Sequence, residues 1–74
     1  MVNTITLRAA RVNSDLSLSE VAEKIGKSAK TVSLWERGIV PIKAVDFDYL
    51  CKEVYKLNPA FVEIPIVNDG EYDE

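Results

Sequence analysis

The chain has 74 residues, of which 47% are hydrophobic and 28% are charged, and these values fit one globular domain of ordinary composition. Because it contains a single cysteine and no histidine, an internal disulfide is excluded and no structural zinc site is expected. The net charge of −3 is unevenly distributed: residues 1–43 carry +3 and residues 44–74 carry −6, so a surface for an anionic partner is expected on the first part of the chain.

The first predicted helix covers residues 4–14. Its predicted apolar face, at roughly helical spacing, consists of Ile5, Leu7, Ala10 and Val12. Either Thr4 or Asn3 is suited to cap the start of this helix. Asp15 tolerates turn and left-handed conformations, and we expect the helix to end there.

The second predicted helix begins at Ser17. Glu20 follows three residues later, and this spacing predicts a capping box, in which each side chain accepts a hydrogen bond from the other residue's backbone amide. Its apolar face consists of Val21, Ala22 and Ile25. Gly26 is suited to the left-handed conformation that ends a helix.

The third predicted helix covers residues 29–37. Ser28 is its expected N-cap, Val32 and Trp35 point inward, and Gly38 ends it in the same way as Gly26 ends the second helix. Only about three residues separate the second helix from the third, so the two helices must cross steeply, as a helix-turn-helix requires.

Pro41 disfavours helix at the residue before it, so residues 39–42 are predicted to form a loop. A fourth helix over residues 43–55 follows, and its core candidates are Val45, Phe47, Leu50, Cys51 and Val54. Asn58 and Pro59 form a cap and first-turn pair, which predicts a short helical turn over residues 59–62. We expect an extended segment over residues 63–67 and a frayed acidic end over 68–74, which divides the chain into a domain, residues 1–64, and a flexible tail, residues 65–74.

Several short motifs occur in a characteristic order along the chain. They are Leu7-Arg8-Ala9-Ala10-Arg11, Leu16-Ser17, Glu20-Val21-Ala22, Ile25-Gly26, Ser28, Thr31-Val32-Ser33, Trp35-Glu36-Arg37-Gly38, Leu50, Val54 and Leu57-Asn58-Pro59. With this spacing the chain resembles the Cro/C1-type (XRE-like) helix-turn-helix family of phage repressors. The resemblance implies an all-α, compact four-to-five-helix domain of the lambda-repressor-like type, with the helix-turn-helix at helices 2 and 3. It also implies an ion pair between Arg11 and Glu36.

The resemblance further implies a DNA-binding transcriptional regulator, encoded by a phage or prophage, that lays helix 3 in the major groove of double-stranded DNA. The residues that match DNA-contacting positions are Lys27, Ser28, Ala29, Lys30, Thr31, Ser33, Arg37 and Lys43, with Leu34 also on this helix. Among them, Lys30 is the best candidate to read guanine. Lys27, Thr31 and Lys43 are expected near the phosphates.

Two departures from the family pattern favour a different function. Leu18 and Ala29 occupy positions where DNA-binding relatives usually carry glutamine. An apolar patch is also predicted over the same surface, consisting of Leu18, Leu34, Ile39, Val40 and Ile42. Such patches usually mark protein–protein contacts. The alternative is therefore an antirepressor or modulator that keeps the helix-turn-helix scaffold and binds a repressor protein through helix 3 and the following loop.

The remaining expectations concern partners and cellular location. We expect a homodimer whose seam involves the fourth helix, the short helical turn over residues 59–62 (helix 5) and residues 63–67, where Ile64, Ile66 and Val67 are apolar. No enzyme activity, cofactor, metal ion or small-molecule substrate is expected, because the chain has no histidine, no glycine-rich phosphate loop, and its Cys51 lies at a core position. Neither a secretory signal nor a stretch of about 20 apolar residues is present, so a cytoplasmic protein is expected.

Overall fold

The computed structural model describes residues 4–65, so the expectations for Asn3, Ile66, Val67 and residues 68–74 lie outside the described part of the chain. Its helices are α1 (Leu7–Asn13), α2 (Leu18–Ile25), α3 (Ala29–Glu36) and α4 (Ala44–Tyr49). α4 continues directly into a π-helical turn (Leu50–Val54), and a 3-10 turn (Pro59–Phe61) follows. The predicted all-α architecture is confirmed for these residues.

The start of α1 differs from the prediction. The N-cap is Thr6, whose hydroxyl accepts a hydrogen bond from the Ala9 amide (3.0 Å), and not Thr4. The backbone of Ile5 is used elsewhere: its amide donates to the Phe61 carbonyl (3.0 Å) and its carbonyl accepts from the Glu63 amide (2.8 Å). This bridge holds the chain extended before α1, so the helix begins later than helical spacing alone suggests.

Three helices end at a residue with left-handed backbone, as predicted. The φ angles are 62° at Asp15, 75° at Gly26 and 72° at Gly38. Glycine adopts this conformation without the steric cost that a side chain brings, which explains its use at two of the three ends. Each left-handed residue lies within two residues of the end of its helix and changes the direction of the chain there.

The core is formed mainly by residues from all four helices and is completed by residues that follow α4. Its buried members are Leu7, Ala10, Val21, Ala22, Val32, Trp35, Phe47, Leu50, Cys51, Tyr55 and Val62. Two predicted core positions are wrong, because Val12 is 55% exposed and Val45 is 70% exposed. Each stands two residues from a buried position on its own helix, which places it about 200° around the axis.

Two further findings concern membrane-spanning helices and metal sites. None of the helices within residues 4–65 has the length and apolar character needed to cross a membrane. No group of three His, Cys, Asp or Glu side chains in the same residues is placed to hold a metal ion.

Candidate nucleic-acid interface

The turn between α2 and α3 sets the direction of α3. At Gly26 the chain reverses, and the Lys27 amide donates to the Ala22 carbonyl (2.9 Å). Ser28 then caps α3, because its hydroxyl accepts from the Thr31 amide (3.1 Å). Ala22 is 4% exposed where α2 packs against α3, and its small side chain lets the two helices approach closely. The predicted helix-turn-helix is therefore present.

α3 has one buried face and one outward face. Val32 and Trp35 are 1% and 4% exposed and anchor the helix in the core. On the side of the helix away from these two residues lies a set of four at helical spacing i, i+3, i+4 and i+7, which we call the outward stripe: Lys30, Ser33, Leu34 and Arg37. Lys30 and Arg37 are exposed, and Ser33 and Leu34 are half-buried. The stripe presents two cations, a hydroxyl and an aliphatic side chain on one surface.

An ion pair fixes the C-terminal end of α3 to α1. Arg11 Nε lies 2.8 Å from Glu36 Oε2 and its Nη2 lies 3.3 Å from Oε1, so the contact is bidentate. Arg11 also donates from Nη1 to the Leu16 carbonyl (3.1 Å). The two side chains are 13% and 6% exposed. The hydrogen bond to Glu36 raises the pKa of Arg11 and outweighs the desolvation that lowers it. The pair therefore connects α1 to the C-terminal end of α3, the helix that carries the outward stripe.

A hydrogen bond between α4 and α2 was not predicted from the sequence. The hydroxyl of Tyr49, on α4, donates to the Lys24 carbonyl near the end of α2 (3.4 Å). This carbonyl belongs to the last turn of α2, where backbone acceptors have no partner within the helix. No local pattern signals the contact, because it depends on how α4 crosses α2.

The basic side chains predicted to meet DNA are all at the surface. Lys27, Lys30, Arg37 and Lys43 are exposed, and within residues 4–65 none of them forms an ion pair. Lys43 is the N-cap residue of α4 and follows the loop after α3. Their charges are therefore available to phosphate groups.

Of the four uncharged DNA-contact candidates, Ser33 lies on the outward stripe and the other three have partners within the domain. The hydroxyls of Ser28 and Thr31 lie 3.0 Å apart and hydrogen-bond to each other, in addition to the cap that Ser28 makes. Ala29 is half-buried and packs against the core. The first turn of α3 is thus ordered by its own contacts before any ligand arrives.

The five residues predicted to form an apolar patch are not all exposed. Leu18, the first residue of α2, and Ile42, in the loop before α4, are both half-buried and pack against the core. Leu34 and Ile39 are also half-buried. Val40 alone among the five is in the exposed class, at 38%. The expected patch is therefore reduced to the edge formed by α3 and the start of its loop.

Comparison with known proteins agrees with this geometry. A family model described as helix-turn-helix matches residues 7–50, which is more than half of the chain and covers α1 to α4 and the first residue of the π-helical turn. No curated protein and no solved structure matches the chain.

Proposed function

The chain belongs to the helix-turn-helix family of the XRE type, a family of DNA-binding regulators, and we propose that it controls transcription by laying α3 in the major groove of double-stranded DNA. The observation that carries this proposal is the outward stripe: two exposed cations on a short helix that is held from behind by Trp35 and by the Arg11–Glu36 pair. A helix held in this way enters the groove without having to be ordered first.

Each residue of the surface has a proposed role. Lys30 reads a guanine through its O6 and N7 atoms, and Ser33 contacts a neighbouring base edge. The phosphate contacts come from Arg37 on the stripe and from Lys27 and Lys43, which are exposed before and after α3 in the chain. Three phosphate contacts on one domain predict that the logarithm of the binding constant falls with the logarithm of salt concentration with a slope of about −2.7.

We propose that the protein binds as a homodimer at two half-sites about 34 Å apart. The part of the chain after the helix-turn-helix exposes large apolar side chains, namely Val45 (70%), Tyr49 (43%), Phe61 (48%) and Ile64 (63%). A second copy that covered them would remove apolar surface from water and would double the number of phosphate contacts.

The proposal extends to the setting of the protein. The resemblance to phage repressors favours a phage or prophage origin, and a regulator of this kind acts in the cytoplasm, where bacterial DNA lies. Genes for integration or lysogeny beside the coding sequence are the expected finding, and a location among unrelated housekeeping genes would contradict a phage origin.

The direct test of DNA reading is a charge deletion on α3 with a matched control. In Lys30→Ala, gel retardation with duplexes selected from a random library should show weaker binding and a relaxed preference at one base pair, by roughly 1–3 kcal/mol. Lys52→Ala removes the same charge from the π-helical turn, where Lys52 is 58% exposed and paired with Asp48, and should leave base preference unchanged. Unchanged affinity and preference in Lys30→Ala would remove α3 from the recognition role.

A second candidate function is an antirepressor that binds a repressor protein through the same surface. The exposed Val40 and the half-buried Leu34 favour it, since both are aliphatic side chains beside the cations of α3. Salt separates the two candidates: DNA binding should weaken steeply between about 50 and 200 mM salt. Salt-tolerant binding to a purified repressor, together with no affinity for duplex at low salt, would favour the antirepressor.

A further inference from the structure

We propose that Leu34 determines sequence specificity by packing against the 5-methyl group of a thymine in each half-site. This inference rests on the proposed DNA-binding function and adds to it a base that no polar side chain on α3 selects. Thymine alone among the four bases presents a methyl group in the major groove, and an aliphatic side chain is its matching contact.

The structure separates Leu34 from the other apolar side chain of α3 near this surface. Ala29 packs against the core, so its methyl group is already covered by the protein. Leu34 is half-buried but is not among the residues packed against the core, and it lies on the outward stripe between Lys30 and Arg37. An aliphatic side chain in the middle of a cationic stripe meets the groove floor while its neighbours meet phosphates and polar base edges.

The backbone after α3 holds Leu34 in place. The Ile39 amide donates to the Leu34 carbonyl (3.0 Å) and the Gly38 amide donates to the Trp35 carbonyl (3.1 Å), which together make the six-residue turn that ends many helices. In this turn the side chains at the positions of Leu34 and Ile39 usually meet. Leu34 and Ile39 are both half-buried, as such a contact requires.

The spacing along α3 predicts where the thymine lies. Lys30 and Leu34 are four residues apart, which corresponds to about 6 Å along the helix axis. Base pairs are stacked about 3.4 Å apart. A helix that follows the groove therefore places the thymine about two base steps from the guanine that Lys30 reads.

The test uses the full chain and changes only the DNA. A consensus duplex is first selected from a random library, and each thymine in it is then replaced by deoxyuridine, which lacks the methyl group. We expect one position in each half-site to lose about fourfold in affinity, the value for one buried methyl group. All other replacements should change affinity by less than twofold. If no replacement exceeds twofold, or if the consensus lacks a thymine near the guanine, the inference is wrong.

Two variants assign the effect to the correct side chain. In Leu34→Ala the duplex with thymine and the duplex with deoxyuridine should bind equally, whereas in Ala29→Gly the difference should persist. A difference that survives in Leu34→Ala would overturn the assignment. Because the base replacement leaves the protein unchanged, its result stands even if Leu34→Ala does not fold. Failure of the proposed function has another signature, namely that the wild-type chain enriches no sequence from the library.

Discussion

At the scale of single residues, Arg11 and Glu36 form an ion pair in which each charge needs the other, because both side chains are largely buried. Glu36 is 6% exposed, so its carboxylate has little access to water, and three donors of Arg11 are used within the domain. Burying a charge without a partner is costly, whereas a buried pair compensates for most of its own desolvation. The pair therefore matters more for fixing α3 than for the total free energy of unfolding.

The variant Arg11→Met tests this view. It leaves the Glu36 carboxylate buried and alone, and we expect it to lower the free energy of unfolding by about 3 kcal/mol, measured by urea denaturation. The double variant with Glu36→Met should recover most of this loss, because no unpaired charge remains.

The exposed pair between Lys52 and Asp48 is the control. Its side chains are 58% and 52% exposed and 3.4 Å apart, so Lys52→Ala should cost less than about 0.5 kcal/mol. A loss in Arg11→Met no larger than that in Lys52→Ala would contradict the role given to the buried pair.

Tyr55 is a core residue whose hydroxyl is buried without a hydrogen-bond partner within residues 4–65. Burial raises the pKa of this hydroxyl well above its ordinary value, and the nearby charge of Glu36 raises it further. The hydroxyl thus stays neutral, and its loss of hydration on folding is not compensated by a hydrogen bond. Tyr55→Phe should raise the free energy of unfolding by about 1 kcal/mol, as seen by thermal melting.

Tyr49→Phe is the matched control for this variant. Tyr49 is 43% exposed and its hydroxyl makes one long hydrogen bond, so the change should be close to zero. If Tyr55→Phe is instead the more destabilising of the two, the Tyr55 hydroxyl forms a stabilising hydrogen bond in solution, which would contradict the prediction.

At the scale of the elements, caps were the most predictable features. The capping box of α2 is confirmed: the Ser17 hydroxyl accepts from the Glu20 amide (3.1 Å), and Glu20 Oε1 accepts from the Ser17 amide (2.8 Å). These bonds lower the pKa of Glu20, the bond from the Ser17 backbone most of all. The box therefore stabilises α2 fully when the pH is above the ordinary range of a glutamate, and this contribution is lost as the pH falls through the lower pKa of the folded state.

Glu20→Gln checks the sign of this dependence. Glutamine keeps the geometry of the box but does not titrate. Denaturation midpoints measured at pH 6 and at about pH 3.5 should therefore differ less in Glu20→Gln than in the wild type. Glu23→Gln serves as the control, because Glu23 is exposed on the same helix and forms no hydrogen bond within the described residues. Equal pH dependence in the wild type and in Glu20→Gln would contradict the assignment.

Two of the errors at the element scale share one cause, which is contact between residues far apart in the sequence. The roles of Gly26 and Gly38 can be predicted locally, because a glycine just after a helical run of apolar residues usually ends the helix in the left-handed conformation. The late start of α1 depends on pairing of Ile5 with the segment around Val62, which no local pattern encodes. Likewise, Leu18 was predicted at the surface because it stands where DNA-binding relatives carry a glutamine, yet it packs against the core. The candidate interface was therefore predictable for its charged members and not for its apolar ones.

The π-helical turn was missed for a different reason, because its hydrogen bonds are local in the sequence. The Tyr55 amide donates to the Leu50 carbonyl (2.8 Å), five residues back, and the Leu57 amide donates to the Cys51 carbonyl (2.7 Å). Lys56 then adopts a left-handed φ of 58°. The sequence of this segment fits an ordinary helix equally well, so neither the widened turn nor the burial of Tyr55 was predicted.

At the scale of the whole molecule, the part of the chain beyond the family match completes the domain. The match ends at Leu50, but the buried residues Cys51, Tyr55 and Val62 lie after it. Val62 also forms a parallel β-bridge with Ile5. Next to this bridge, the Thr4 hydroxyl donates to the Glu63 carboxylate (2.9 Å). We propose that the folded unit reaches residue 64 and that residues 65–74 form a tail dispensable for folding.

Truncation tests this boundary. A chain that ends at residue 65 should melt at the wild-type temperature, because it keeps every contact described here. A chain that ends at residue 57 loses the burial of Val62 and both hydrogen bonds of Ile5, and should lose about 2 kcal/mol or more. Equal stability of the two truncated chains would place the boundary before residue 58.

The central claim is that the outward stripe of α3 meets DNA, and backbone amide NMR during titration with the selected duplex tests it most directly. The account predicts that the largest shift changes occur at Lys30, Ser33, Leu34 and Arg37, while amides of the π-helical turn change little. Changes confined to α4 and the segment after it, with the amides of residues 29–37 unmoved, would contradict the account.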